Sequence, residues 1–198
     1  MELGIKTARG GKISIYADGE LQFTVPAVIW YSSHFREGDE ITKEELTELK
    51  RLGDSSCAFE SGMRMLSLRA HSAFELKQKL SMKFSPESAD SAIEKLSNLG
   101  LIDDEKFALL LAEELYSRKN FAPKRILSEL KSRGISGEYA QNALNALDID
   151  KDFGIIKILE KSGVTEQSSK KDKDRIIRRL MNMGYSFSDI SKYISFYE

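Results

Sequence analysis

The strongest constraint on this chain is a helix–corner–helix pattern that recurs about every fifty residues. In the first copy the apolar and small positions run Leu76, Leu80, Phe84, Ser85, Ala89, Ala92, Ile93 and Leu96. The second reads Ile126, Leu130, Ile135, Ser136, Ala140, Ala143, Leu144 and Leu147. The third reads Ile176, Leu180, Tyr185, Ser186, Ile190, Tyr193, Ile194 and Tyr197. Each copy predicts a helix, a tight corner, a Ser in N-cap position and a second helix. Gly134 and Gly184 occupy the later two corners, where a helix C-terminus commonly needs a left-handed residue. The first corner is one residue shorter and has no Gly. A further helical stretch precedes each pair, over residues 58–70, 104–118 and 151–161. In the second of these, Phe107, Ala108, Leu111, Ala112 and Leu115 share one face. A lone three-helix unit buries little core, so neighbouring units should pack end to end. The expected fold is mainly α, with three tandem three-helix repeats in an elongated or curved array.

The N-terminal residues follow a different period. Lys12-Ile13-Ser14-Ile15-Tyr16-Ala17 and Leu21-Gln22-Phe23-Thr24-Val25 alternate on either side of Asp18-Gly19-Glu20. Asp-Gly between alternating runs predicts a hairpin, because Gly tolerates the positive φ of a tight primed turn. Ala27-Val28-Ile29-Trp30-Tyr31 fits a third short strand or a short helix. Thr42-Lys43-Glu44-Glu45 has the form of a capping box and should open a helix through about Leu52. Gly53-Asp54-Ser55-Ser56 reads as a hinge or linker. The expected division is therefore 1–57, a small β-hairpin or sheet appendage with a short helix and linker, followed by repeats over 58–102, 103–148 and 149–198.

Thirty Lys and Arg against 31 Asp and Glu give a net charge of −1. The simplest case for a nucleic-acid-binding protein, a strongly basic chain, is thereby removed. Net charge runs −3 over 1–57, 0 over 58–148 and +2 over 149–198. An anionic partner would thus be met by local patches and not by the field of the whole molecule. Cys57 has no cysteine partner within the chain, as suits a reducing cytoplasm. The start, Met1 to Lys6, lacks a signal-peptide core, and the apolar runs fall short of the roughly 20 residues that span a bilayer. A cytoplasmic protein without a membrane partner is expected.

Constellations that carry chemistry are sparse. Asp103 and Asp104 are adjacent carboxylates without a His or Lys at catalytic spacing. A helix start explains them better, since Asp accepts orphan amides and suits the positive end of the helix dipole. Ser72, Ser85, Ser136 and Ser186 likewise read as helix caps. His34 and His71 lack metal-ligand spacing. Gly10-Gly11 leads into a strand where a phosphate loop would precede a helix. The chain does not read as an enzyme, and no catalytic residue, metal or cofactor is expected.

Two basic clusters remain. One comprises Arg118, Lys119, Lys124, Arg125, Lys131 and Arg133; the other comprises Lys170, Lys171, Lys173, Arg175, Arg178 and Arg179. In the second, helical spacing turns Lys171, Arg175, Arg178 and Arg179 outward and Ile176, Leu180 and Met183 inward. Such clusters are either solvated faces balanced by Glu129, Asp172 and Asp174, or contacts for an anionic partner. Tyr185, Tyr193, Phe196 and Tyr197 stand at helical spacing with Ile190 and Ile194, which favours core or C-terminal anchoring over base stacking.

Several of these segments resemble one family. Arg69-Ala70-His71-Ser72-Ala73-Phe74-Glu75-Leu76 is similar to the Arg-x-x-Ser-x-x-Glu-Leu segment of RecX regulatory proteins. Leu101-Ile102-Asp103-Asp104-Glu105-Lys106-Phe107-Ala108 resembles their Ile-Asp-Asp-x-x-Phe-Ala signature. Ile126 to Ile135 resembles Ile-x-x-Glu-Leu-x-x-Lys-Gly-Ile, and Arg178 to Ser186 resembles the third-repeat Arg-Gly-Phe-Ser corner. Two departures stand out: the usual Lys-Gly-Pro appears as Phe121-Ala122-Pro123, and the first corner lacks its Gly.

The resemblance implies a non-enzymatic modulator of the RecA recombinase, and hence of recombination, DNA repair and the SOS response. Such a protein lodges in the helical groove of the RecA–DNA filament and usually inhibits its ATPase, strand-exchange and coprotease activities. The resemblance also turns the two basic clusters toward a partner, either DNA phosphates or acidic RecA side chains. Single-stranded or duplex DNA would be met weakly or through the filament, by a monomer. The alternative is a stand-alone nucleic-acid-binding helical module.

Overall fold

The computed structural model describes residues 1–150, 152–165 and 167–194. The chain is mainly helical with a small N-terminal sheet, and it divides into two compact units, the second beginning at Asp104. No helix among the described residues is long and apolar enough to cross a membrane.

In the first unit, β1 (Leu3–Ala8), β2 (Lys12–Ala17) and β3 (Glu20–Pro26) form an antiparallel sheet in the order β1-β2-β3. Asp18 and Gly19, at φ 50° and 82°, make the primed turn that Asp-Gly predicts. Ile13 faces Val25 across one pair and Ile5 faces Ile15 across the other. β1 is an addition to the sequence reading; its apolar alternation extends over only Leu3 and Ile5. Ala27–Ser32 resolves as a helix, α1, with Trp30 buried beneath it. Pro26 precedes it, and a residue without an amide ends the ladder there and opens the helix at no cost in hydrogen bonds.

The expected linker does not exist. α2 (Lys43–Leu68) is one continuous helix of 26 residues, and Gly53, Asp54, Ser55 and Ser56 lie inside it. At its start the Glu45 amide donates to Thr42 Oγ1 (3.2 Å) while the Thr42 amide donates to the Glu45 carboxylate (2.9 Å). The small residues are explained by what lies against them. A Cβ on Gly53 would overlap Val25 Cγ1, and Ser55 Oγ hydrogen-bonds the buried Ser88 Oγ at 3.4 Å. These positions are small so that the helix can lie close to the sheet and to the helices after it. Leu49 joins the sheet's core with Leu3, Ile15 and Trp30. Ala58 joins a second core with Leu76, Leu80, Ala92 and Leu96. These last belong to α3 (Ala73–Ser81) and α4 (Pro86–Asn98), whose first turns are capped by Ser72 on the Glu75 amide and Ser85 on the Ser88 amide.

The second unit contains α5 (Asp104–Ser117), α6 (Pro123–Ser132), α7 (Glu138–Asn145), α8 (Phe153–Ser162), α9 (Lys170–Asn182) and α10 (Phe187–Ile190). Phe107, Leu111, Leu115, Ile126, Leu130 and Leu144 centre one core. Ile155, Ile158, Ile176, Leu180, Tyr185 and Ile190 centre another, and Phe121 packs against both. Asp103 immediately precedes α5 and Asp104 opens it. Ser186 accepts from the Asp189 amide at the start of α10.

Ser136 needs correction. The residue that caps α7 is Gly137, at φ 62° and ψ −132°, with no side-chain cap bond. That backbone, which a side chain rarely adopts, inserts one residue between the corner and the helix and moves Ser136 out of the capping position. Of the C-terminal aromatics, Tyr185 is buried and Tyr193 is exposed; Phe196 and Tyr197 lie outside the described residues.

Candidate partner-binding cleft

The connector from α5 to α6 runs Arg118-Lys119-Asn120-Phe121-Ala122 and owes its shape to Asn120. Asn120 sits at φ 55°, a left-handed conformation that Asn tolerates better than most residues. Its amide donates to Tyr116 O (3.1 Å) and the next amide, of Phe121, to Leu115 O (3.0 Å), closing the end of α5. Two further bonds fasten this connector to the corner after α9. The Ala122 amide donates to Met183 O at 2.9 Å, and the Tyr185 hydroxyl donates to Asn120 O at 2.9 Å. Gly154 of α8 lies under the same junction, where a Cβ would overlap Tyr185 Oη and stand 3.0 Å from Asn120 O. Burial, with smaller contributions from Tyr116 and Asp150, pushes the Tyr185 phenol up to about 12, so it remains a hydrogen-bond donor.

The fastened elements surround an open cleft of about 820 Å³. Arg118 and Lys119 line it from the connector, Lys161 from α8, and Arg175, Arg178 and Arg179 from α9. Ile158, Phe121 and Met183 give it apolar wall, and among the described residues no carboxylate lines it. On α9 the spacing 175, 178, 179, 182 keeps three arginines and Asn182 on one face, while Ile176, Ile177 and Leu180 are buried. Like charges around a concavity with apolar walls focus a positive potential there. Two of the arginines are also held by their own helix: Arg175 pairs with Asp172 at 3.2 Å, and Arg178 Nε donates to Asp174 O at 3.2 Å.

Five of the twelve cations singled out from the sequence therefore meet at one place. The others do not. Lys124 and Lys131 are exposed on α6. Arg125 pairs with Glu129 at 2.6 Å and covers the Phe121 ring at 5.6 Å. Arg133 and Lys173 are half-buried, and Lys170 and Lys171 are exposed in the first turn of α9.

Three polar lining residues escaped the sequence reading: Lys161, Asn120 and Asn182. Lys161 belongs to neither basic run, and only its position three after the buried Ile158 hints that it borders the core. Asn120 is 7% exposed and its Oδ1 has no hydrogen-bond partner among the described residues, a state that costs roughly 1–3 kcal/mol. Its place just past the last turn of α5 was the available signal, since Asn favours left-handed caps.

Similarity to known proteins follows the repeats. Residues 58–96 match the first three-helix domain of RecX, and residues 103–144 match the second. The regulatory protein RecX of Caldanaerobacter subterraneus subsp. tengcongensis is 28% identical over 198 residues, covering 96% of this chain and 96% of that protein. That of Lactobacillus johnsonii is 27% identical over 183 residues, covering 90% and 67% respectively. A crystal structure of regulatory protein RecX shares the fold with a TM-score of 0.66 at 19% identity, over 96% of this chain and 98% of that one. RecX from Lactobacillus salivarius gives 0.55 at 22% identity, over 70% and 93%. With both three-helix domains matched in order and relatives aligned along nearly its full length, this chain belongs to the RecX family of regulatory proteins.

Proposed function

We propose that this chain regulates the RecA recombinase by seating in the helical groove of the RecA–DNA filament, where it lowers ATP hydrolysis, strand exchange and coprotease activity. The observation that supports this most is the convergence of six cations from three elements on one cleft. A filament built around phosphates, with acidic side chains along its groove, offers such a surface its complement. Arg forks onto carboxylate and phosphate alike, so the cleft suits either. Repeats over 58–102, 103–148 and 149–198 would each contribute a modest contact. Tethering in one chain raises the effective concentration of the later ones. The protein acts as a cytoplasmic monomer without catalysis or a cofactor of its own.

The test is a titration into RecA on single-stranded DNA, following ATP hydrolysis, with bare DNA as a binding control. Saturable inhibition at concentrations that leave bare DNA unbound is the expected result. A second reading, a nucleic-acid-binding module that works without RecA, draws on the same cations. It requires binding to bare DNA that weakens steeply with salt as counterions are released, and the net charge of −1 works against it.

A further inference from the structure

We infer that the cleft between the α5–α6 connector, α8 and α9 is a receptor for a condensed polyphosphate carried on a nucleoside, that is, a nucleoside triphosphate. The inference shares its cleft with the filament reading but needs no filament.

Charge density comes first. Arg175, Arg178 and Arg179 fall within five residues of α9, Lys161 comes from α8, and Arg118 and Lys119 come from the connector. The cations border the open cleft from three elements. A phosphodiester strand spreads one charge per nucleotide and is best met by cations strung along a track. The exposed Lys124, Lys131, Lys170 and Lys171, which could have extended such a track, do not line this volume. A triphosphate concentrates its charges on adjacent phosphorus centres, which matches a compact cluster. It also relieves the mutual repulsion of cations gathered beside Ile158 and Met183.

Asn120 points to the nucleoside. It lines the cleft with the cations, nine-tenths buried, and its side-chain acceptor is unpartnered among the described residues. Phosphate oxygens cannot satisfy an acceptor. The amino group of a base or a ribose hydroxyl can, after a small rotation of the amide. Asn182 adds a second amide on the α9 side. About 820 Å³ leaves room for a base and sugar beyond the phosphates, and it lies within the usual range for small-molecule sites. Occupancy by a nucleotide would engage the cations otherwise offered to a filament, so nucleotide level would set how much cleft is free.

Isothermal titration of the full chain with ATP, inorganic tripolyphosphate and a single-stranded oligothymidylate, each without RecA, tests this. The expected result is one ATP per chain, with tripolyphosphate binding about fivefold more weakly. Reversing two lining cations, Lys161→Glu with Arg179→Glu, should weaken both by at least about tenfold with an unchanged circular dichroism spectrum. Lys124→Glu with Lys131→Glu makes the same charge change outside the cleft and should leave both intact. Asn120→Gly keeps the left-handed backbone and should remove only the advantage of ATP over tripolyphosphate.

Several results would overturn the inference. They are no binding of either small anion, binding by the oligonucleotide alone, or equal loss in both double variants. Equal affinity for ATP and tripolyphosphate in the unaltered chain would overturn the nucleoside part. RecA is absent throughout, so failure here leaves filament inhibition standing, and failure of the filament titration leaves this site standing.

Discussion

Tyr185 and Asn120, 65 positions apart, are joined by a buried hydrogen bond in which the phenol donates to the backbone carbonyl at 2.9 Å. Asn120 belongs to the connector that carries Arg118 and Lys119, and Tyr185 follows the helix that carries Arg175, Arg178 and Arg179. The bond therefore fixes the spacing between two walls of the cleft. Tyr185→Phe keeps the ring and leaves a buried carbonyl short of its donor. Urea unfolding followed by circular dichroism should show a loss of about 1–3 kcal/mol; a change indistinguishable from zero would remove the bond from any structural role.

The same phenol gives a pH signature. Its folded value is raised from 10.0 to about 12, so the folded state holds the proton longer than the unfolded one. Its contribution is complete below pH 10 and is lost as pH rises from there through about 12. Ultraviolet titration should show a late tyrosine ionisation, and Tyr185→Phe should reduce its amplitude by one residue.

Gly154 tests the same junction from below. A Cβ there meets Tyr185 Oη and Asn120 O, and forcing a methyl into a filled site costs typically about 1–3 kcal/mol. Gly154→Ala should therefore destabilise the chain although alanine is the better helix former. Part of that cost should vanish beside Tyr185→Phe, which removes the nearest clashing atom. A thermodynamic cycle over the two positions measures this, and strict additivity would show that they do not touch.

Cleft cations should matter to inhibition more than other cations. Reversing Lys161, Arg175 and Arg178 together to Glu is expected to raise the concentration for half-inhibition of RecA ATP hydrolysis by at least about tenfold with helicity unchanged. The exposed pair Lys124 and Lys131 should have a smaller effect. Retained inhibition in the triple variant would remove the cleft from the filament contact.

The first unit has its own titration. His71 is buried and its ring Nδ1 lies 3.3 Å from Glu75. Burial, then the charges of Arg69 and Lys79, lower its pKa from 6.5 against the pull of Glu75. The unfolded chain therefore takes up the proton first. The stability that depends on a neutral ring is complete above pH 6.5 and declines as pH falls below it toward the lowered value. Thermal unfolding across mildly acidic pH should show this slope, and His71→Gln should flatten it.

The sequence exposed much of this fold because the core-facing positions of each repeat follow one helical period. Leu76 and Leu80, Ile126 and Leu130, and Ile176 and Leu180 are all buried. The misreadings arose where packing overrode local preference. Gly53 to Ser56 carry the composition of a hinge, yet Gly53 and Ser55 are places where another element comes near. Ser136 has the right identity for a cap but precedes a glycine whose backbone displaces it. The cleft was half legible. Its arginines stood out as clusters, but neither their meeting with Lys161 nor the buried amide of Asn120 is encoded in any local run, because both depend on how the connector docks against the corner after α9.

The unbroken α2 has a consequence for inheritance. Its rise and winding link the sheet to the first repeat like teeth on one shaft. Each residue inserted or deleted between Leu49 and Ala58 would shift one end by about 1.5 Å and turn it by about 100°. Val25 would then lose its seat on Gly53, and Ser88 its partner in Ser55. Point substitutions can accumulate at the exposed positions of this stretch, such as Lys50 and Arg51, whereas changes of length should be purged from it and collect in connectors on the surface.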